Sequence, residues 1–186
     1  MARPREFDED TAIAKAMNVF WELGYEEASL PDLLKGMGLT RGSLYKAFKD
    51  KKSLFLIVLD RYDQEVVAEA VTLLTDASIP NGWDRIAALF SSISEAVVNN
   101  DYRGCLLCSA AAGPASYDPE IGVAVTEELT KMREAFQVAI GASNNPNTAN
   151  LLVTQYVGLR ILSRSQVPVS FILDSIKELE HLKPSA

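Results

Sequence analysis

The stretch from Glu27 to Phe55, EASLPDLLKGMGLTRGSLYKAFKDKKSLF, constrains this chain more than any other. It predicts two short helices joined by a tight turn, with a third helix starting at once. Ser29 and Asp32, three apart, have the spacing of a capping box, and Pro31 falls in the first turn, where a missing N–H costs nothing. Leu30, Leu33 and Leu34 then give one apolar face at helical spacing. Gly36 and Gly38 flank Met37 and supply the backbone freedom of a sharp reversal. Thr40 is suited to cap the second helix, in which Leu44 and Phe48, four apart, point inward.

Left outward on that second helix are Arg41, Gly42, Ser43, Tyr45 and Lys46. A helix-turn-helix presents such a surface, with the first residues of its second helix against base edges. Arg41 and Ser43 are therefore the expected base readers. Ser29, Thr40, Gly42, Tyr45, Lys46 and Lys51 complete the expected DNA-facing set. Between Lys35 and Lys52 six basic residues (Lys35, Arg41, Lys46, Lys49, Lys51, Lys52) stand against one acid, Asp50. The bland alternative is two surface helices whose charges keep the protein soluble. Turn glycines, caps, inward Leu and Phe and outward Arg, Ser, Tyr and Lys all agree with the first reading.

The run GLTRGSLYKAFKDKKSLF resembles the signature of the TetR-type transcriptional repressors. The matching positions are Gly38, Tyr45 and Phe48 three apart, then Lys51 and Leu54 opening the next helix. FWELGYEEASL, just before it, is similar to the end of that family's first helix and the following loop. The likeness runs over the first third of the chain; the rest is similar in length and helical pattern. The resemblance implies an all-α fold, with a three-helix helix-turn-helix domain over residues 1–49 and a larger helical ligand-binding and dimerisation domain over 50–186. It implies a homodimer on a palindromic double-stranded DNA operator, acting as a regulator, in the first place a repressor, released by a small-molecule inducer. It implies no cofactor.

Composition fits a globular protein, at 48% hydrophobic residues. No apolar run approaches the ~18 residues of a membrane span, and MARPREFDED lacks the apolar centre of a secretory signal. With two cysteines besides, a reducing cytoplasm is the expected setting. The net charge of −7 argues against a nucleic-acid partner until its distribution is examined. Residues 1–62 carry ten basic and ten acidic side chains, so the whole excess of acid lies beyond them. Acid there limits non-specific binding.

In chain order, Arg3 and Arg5 around Pro4 form a short arm, either a minor-groove arm or a frayed end. Asp8 or Asp10 caps a first helix striped by Ile13, Ala16, Met17 and Phe20 and stopped by Gly24. Trp21 is expected in the same small core. Asp50 caps a long helix to about Thr75, its buried side marked by Leu54, Ile57, Val58, Tyr62 and Val66. A helix over Trp83–Asn99 follows, then an uncharged, small-residue segment from Gly104 to Ala115, buried or lining a cavity. Asp118–Pro119 starts a helix ending at Gly141. Asn144–Asn147 is a break before two last helices, about 147–164 and 168–182. No segment alternates with a period of two, so no sheet is expected.

Those last helices carry apolar residues off their main stripes, such as Val153, Val157 and Leu173. A two-fold seam is expected there, from Phe171, Ile172, Ile176 and Leu179 with Tyr156 and Leu159 opposite; the alternative is that they fill one chain's core. Cys105 and Cys108, three apart, have no further thiol and only a distant His181, so no metal site is expected. The pair is either core filling or a sensor of oxidants or electrophiles. A small helical thiol enzyme is a further alternative. No catalytic constellation or phosphate loop is visible, which argues against an enzyme.

Overall fold

The structure is a computed structural model that describes residues 7–141 and 146–183. Its first helix, α1 (Glu9–Leu23), starts where the Asp8 carboxylate accepts the Thr11 N–H at 2.6 Å. It buries Ala12, Ala16, Met17 and Phe20 and stops at Gly24, whose φ of 83° few other residues would adopt. Next come α2 (Leu30–Met37), α3 (Arg41–Phe48) and α4 (Lys51–Tyr62), the last capped by Asp50 through the Ser53 N–H at 2.7 Å. The α4 axis continues through a π-helical turn, Asp63–Val67, into α5 (Ala68–Thr75). The body is completed by α6 (Gly82–Val98), α7 (Leu106–Ala112), a 3-10 turn at Pro114–Tyr117, α8 (Pro119–Ile140), α9 (Pro146–Arg164), α10 (Val169–Glu178) and a final 3-10 turn at Leu179–Leu182. The chain is all-α, with no strand among the described residues, and no described helix is long and apolar enough to cross a membrane.

Two packed layers meet along α4. On one side α1, α2 and α3 form a small head, into which α4 sends Leu54 and Phe55, both fully buried. Phe55 meets Phe20 edge-on, ring centroids 4.9 Å apart, and Tyr25 at 4.6 Å. Burying a ring of this size is worth about 1.5–3 kcal/mol. On the other side α5, α6, α8 and α9 form a bundle around Phe90, Phe136 and Tyr156, whose rings lie 6.1–6.4 Å apart. The short α7 is wedged between α4, α8 and α9, buried on nearly every side as its small residues allow. Ile57, expected on the buried side of α4, is exposed. Trp21 does not enter the head's core. It turns toward the body, donating its indole N–H to the Gly104 carbonyl at 3.3 Å.

The π-turn is the one departure from the continuous helix expected over 50–75. A π-turn wedges an extra residue into the helix and is common at functional positions. Here it places Asp63 opposite α8, where Lys131 Nζ lies 2.8 Å from Asp63 Oδ2 and 2.9 Å from Glu128 Oε1. Glu128 Oε2 is buried without a donor, so a proton on it would bond Asp63. Burial first, then Asp63, pushes the Glu128 carboxyl up to about 7. The folded chain therefore holds this proton over a range where the unfolded chain has released it. Stability should fall as pH rises from about 5 to about 8, as the proton is lost. Glu128→Gln, which keeps a donor there permanently, should flatten that fall. A melting temperature with the same pH dependence in both proteins would refute the shared proton.

Candidate nucleic-acid interface

The reversal between α2 and α3 is held by local bonds. Ser29 and Asp32 form a reciprocal capping box on α2, and the Ser29 hydroxyl and N–H both donate to Asp32 Oδ2. These bonds hold the Asp32 carboxyl below its usual range. Gly38 closes α2 at φ 70°, in the left-handed region that favours glycine. Thr40 Oγ1 accepts the Ser43 N–H at 3.2 Å and lies 2.9 Å from Ser43 Oγ. Leu44 and Phe48, both buried, anchor the inner face of α3. At Gly36 an added methyl would stand 2.4 Å from Val19 Cγ2, so α2 lies unusually close to α1.

What α3 leaves outward is compact and cationic. Arg41, Gly42, Tyr45 and Lys46 are exposed, and Ser43 is half-buried beneath the Thr40 cap. The Arg41 guanidinium lies 5.6 Å from the centre of the Tyr45 ring. A methyl group on Gly42 would meet nothing, so packing within the chain does not demand glycine there. Lys35 and Lys49 are exposed beside this face, whereas the other two lysines of the basic run are engaged. Lys51 donates to the Glu26 carbonyl at 3.3 Å and stands 4.6 Å over the Tyr25 ring, where burial lowers its pKa. Lys52 pairs with Glu120 at 2.9 Å and Asp118 at 3.3 Å. Arg3 and Arg5 lie outside the described residues.

The head is fastened to the body at two places that sequence reading missed. Arg164, from the last turn of α9, donates to the carbonyls of Trp21 at 2.8 Å, Glu22 at 2.6 Å and Arg103 at 3.2 Å. It thus satisfies the C-terminal carbonyls of α1. Arg103 covers the Trp21 ring at 4.3 Å, and Tyr62 meets it edge-on at 5.1 Å. At the second place Glu26 Oε1 accepts the Ala115 N–H at 2.6 Å. The only local hint of these contacts was a basic residue in the last turn of α9.

Between the two fastenings lies the thiol pair. Cys105 caps α7, its sulfur accepting the Cys108 N–H at 3.4 Å, and both cysteines are free and buried. The Cys108 thiol, bonded to that sulfur, pulls Cys105 down to about 6. The Tyr62 hydroxyl and the Arg160 guanidinium add to the effect, and burial opposes it. The same thiol–thiol bond, together with burial, pushes Cys108 up. The pair titrates as one unit, with the negative charge on Cys105. Arg160 also donates to the Tyr156 hydroxyl at 3.3 Å and to Ser92 Oγ at 3.5 Å. Beside the sulfurs is a cavity of about 10 Å³, walled by Tyr62, Val66, Val67, Leu129, Met132 and Tyr156. That is room for about one water molecule. No group of three possible metal ligands occurs among the described residues.

The expected two-fold seam needs correction. Tyr156, Leu159 and Ile172 are buried inside the single chain, where they pack on the bundle core, and have no surface left for a partner. Ile176 and Leu179 are half-buried and line a cleft of about 520 Å³ against Trp83, Ile86 and Phe90 of α6. Phe171 is the member that stays outward, 51% exposed. Leu151 of α9 is 40% exposed, and Gly158 on the same helix has open space where a methyl would stand. The side chain of His181 lies outside the described residues.

Head and body together define an all-helical helix-turn-helix protein. Residues 12–58 match the family model described as bacterial regulatory proteins, tetR family. The chain is 37% identical over 108 residues to the HTH-type transcriptional repressor ComR of Escherichia coli K12, a match covering 56% of this chain and half (50%) of that relative. It is 26% identical over 186 residues to the HTH-type transcriptional regulator YezE of Bacillus subtilis 168, covering 98% of this chain and 94% of YezE. A solved structure of a cysteine mutant of the TetR family transcriptional regulator CifR, complexed with 26-bp double-strand operator DNA, superposes with a TM-score of 0.83. It is 28% identical and covers 98% of this chain and all (100%) of that one. Residues 12–58 thus match the tetR family model, and the chain as a whole is similar in sequence and fold to regulators of that family.

Proposed function

We propose that this protein is a DNA-binding transcriptional regulator that acts as a repressor, bound as a homodimer to a palindromic operator. The observation carrying this reading is the α3 surface: Arg41, Gly42, Tyr45 and Lys46 outward on a helix pinned from behind by Leu44 and Phe48. The DNA-bound CifR structure, with a similar fold over nearly the whole chain, supports it. The head of residues 1–49 reads the DNA, with the first turns of α4 completing its core, and residues 50–186 pair the subunits and take the inducer. Arg41 and Ser43 address base edges, with Gly42 allowing the backbone close. Ser29, Thr40, Tyr45 and Lys46 face phosphates, and Arg3 and Arg5 belong to the same DNA-binding set. Lys51 reaches a phosphate only by giving up the Glu26 carbonyl. The test starts from a genomic fragment recovered by binding selection. Arg41→Ala should lose about 1–3 kcal/mol on that fragment and relax preference at one base position. An equal loss on scrambled DNA would make Arg41 a phosphate contact instead.

A small-molecule inducer requires a site whose filling changes the relation of head to body. The α6–α10 cleft, at about 520 Å³, has the volume of a ligand site and largely apolar walls. A second reading is favoured by Cys105, a buried thiol lowered to about 6 beside Arg160 and next to the head's fastenings. In that reading the effector reacts with Cys105 covalently. Release of the fragment by an oxidant in the wild type, absent in Cys105→Ala, would select it over the cleft.

A further inference from the structure

Gly104 is the hinge between the thiol pair and the head. It takes a left-handed φ of 66°, and an added methyl would stand 2.5 Å from the Arg160 carbonyl oxygen, so this segment rides directly on α9. Its own carbonyl holds the Trp21 indole, the preceding Arg103 covers that indole, and the next residue is Cys105. At the far end of the same segment, Ala115 holds Glu26 of the head. Residues 103–115 are therefore tied to the head at both ends, with the two thiols between. On α9, Arg160 faces the thiols and Arg164, one turn on, holds the end of α1. Tyr62 completes the circuit: it lines the same small cavity as Cys105 and its ring abuts Trp21.

We propose that Cys105 and Cys108 are a dithiol–disulfide switch, closed by a small peroxide, whose oxidation unseats the head at Trp21. This rests on the thiol reading above in taking Cys105 as the reactive group. The Cys105 thiolate attacks one peroxide oxygen; the O–O bond breaks, hydroxide leaves, and Cys105 becomes a sulfenic acid. The Cys108 sulfur then attacks the Cys105 sulfur; the S–O bond breaks and hydroxide leaves with the Cys108 proton as water. The first hydroxide takes up the proton that Cys105 had released. The two thiols together lose two electrons and two protons, and the peroxide becomes two waters. A helical cap and the residue three on lie within the Cα separation a disulfide needs.

The small cavity selects the oxidant. Its volume of about 10 Å³ restricts access to the smallest molecules, near water in size, and excludes a bulky electrophile. Val66 and Val67 of the π-turn are among its walls. Closing the disulfide removes the negative charge beside Arg160 and Tyr62 and the cap of the Cys108 N–H. The half-buried guanidinium is left beside the Tyr156 hydroxyl and Ser92 without that counter-charge. Arg160 and Tyr62 must shift, and both bear on the residues that hold Trp21.

The test uses the full chain carrying Trp83→Phe, so that Trp21 is the only indole. Hydrogen peroxide should remove both free thiols, lower the mass by two hydrogens and move Trp21 emission to the red, all reversed by dithiothreitol. Cys108→Ala should gain the mass of one oxygen on Cys105 and show no such mass loss; Cys105→Ala should show neither. Affinity for the selected DNA fragment should fall on the order of tenfold on oxidation. Both thiols surviving excess peroxide, while reacting normally in denaturant, would overturn the switch. A disulfide that leaves Trp21 emission unchanged would overturn its coupling to the head. If peroxide releases DNA equally from Cys108→Ala, the thiol reading stands and the disulfide falls. If the disulfide forms and DNA stays bound, the thiol reading itself falls.

Discussion

Phe171→Asp is expected to turn the protein into a monomer whose head is intact and whose operator affinity has dropped by a factor on the order of 10²–10⁴. The size of the effect comes from geometry rather than from contacts with DNA. One α3 surface offers few side chains, and a second, held at fixed separation, binds as an intramolecular event. Removing the pairing forfeits that gain without touching Arg41. Phe171 is the right position because it is 51% exposed within one chain, so an Asp there leaves the folded subunit almost unchanged, within about 0.5 kcal/mol. In a two-fold seam the same Asp is buried once per subunit, without a partner, which is strongly unfavourable. Changing Ile172 instead would be uninformative, since its side chain is 1% exposed and the subunit itself would fail. Sedimentation and binding to the selected fragment, measured together, decide the matter. A dimer with unchanged affinity would move the seam away from α10.

The seam also shows where the sequence stops being legible. A helical stripe says that a face is covered, not by what. Tyr156, Leu159 and Ile172 lie on stripes as regular as any in the head, and all three are covered by their own chain. The caps were legible because their physics is local: Thr40 with Ser43, Asp50 with Ser53 and Asp118 with Ile121 each span three residues. The all-α class followed from the family resemblance and from the absence of any run alternating with a period of two. The π-turn left no mark, because no proline or glycine stands between Asp63 and Val67. The head's fastenings were out of reach for a different reason: Arg164 and Trp21 are 143 positions apart. Likewise the pattern Cys105–Leu–Leu–Cys108 made core filling the expected reading and left sensing as the alternative. The fold makes both cysteines part of the core and also brings Arg160 and Tyr62 to them, so the two readings do not exclude each other.

The other large expected effect is on stability, from the smallest substitution. Gly82→Ala should destabilise the protein by about 3 kcal/mol, lowering the melting temperature by about 6–12 °C. Two opposing effects meet at this position. Gly82 is the first residue of α6, behind the Asn81 cap, and alanine is the better helix former by at most about 1 kcal/mol. Against this, the added methyl would stand 1.6 Å from the Ala139 carbonyl oxygen and 2.5 Å from its carbon, at the end of α8. Both are backbone atoms, so no side chain can swing aside, and α6 must move away from α8. The shift also disturbs Arg85, buried one turn on, whose guanidinium donates to the Asp76 carbonyl at 3.2 Å and lies 3.0 Å from the same methyl position. Sterics should outweigh propensity, and the sign of the change is the test. The helix-turn-helix face lies on other elements, so DNA binding well below the new melting temperature should be retained. A melting temperature equal to or above that of the wild type would mean that α6 and α8 approach less closely in solution.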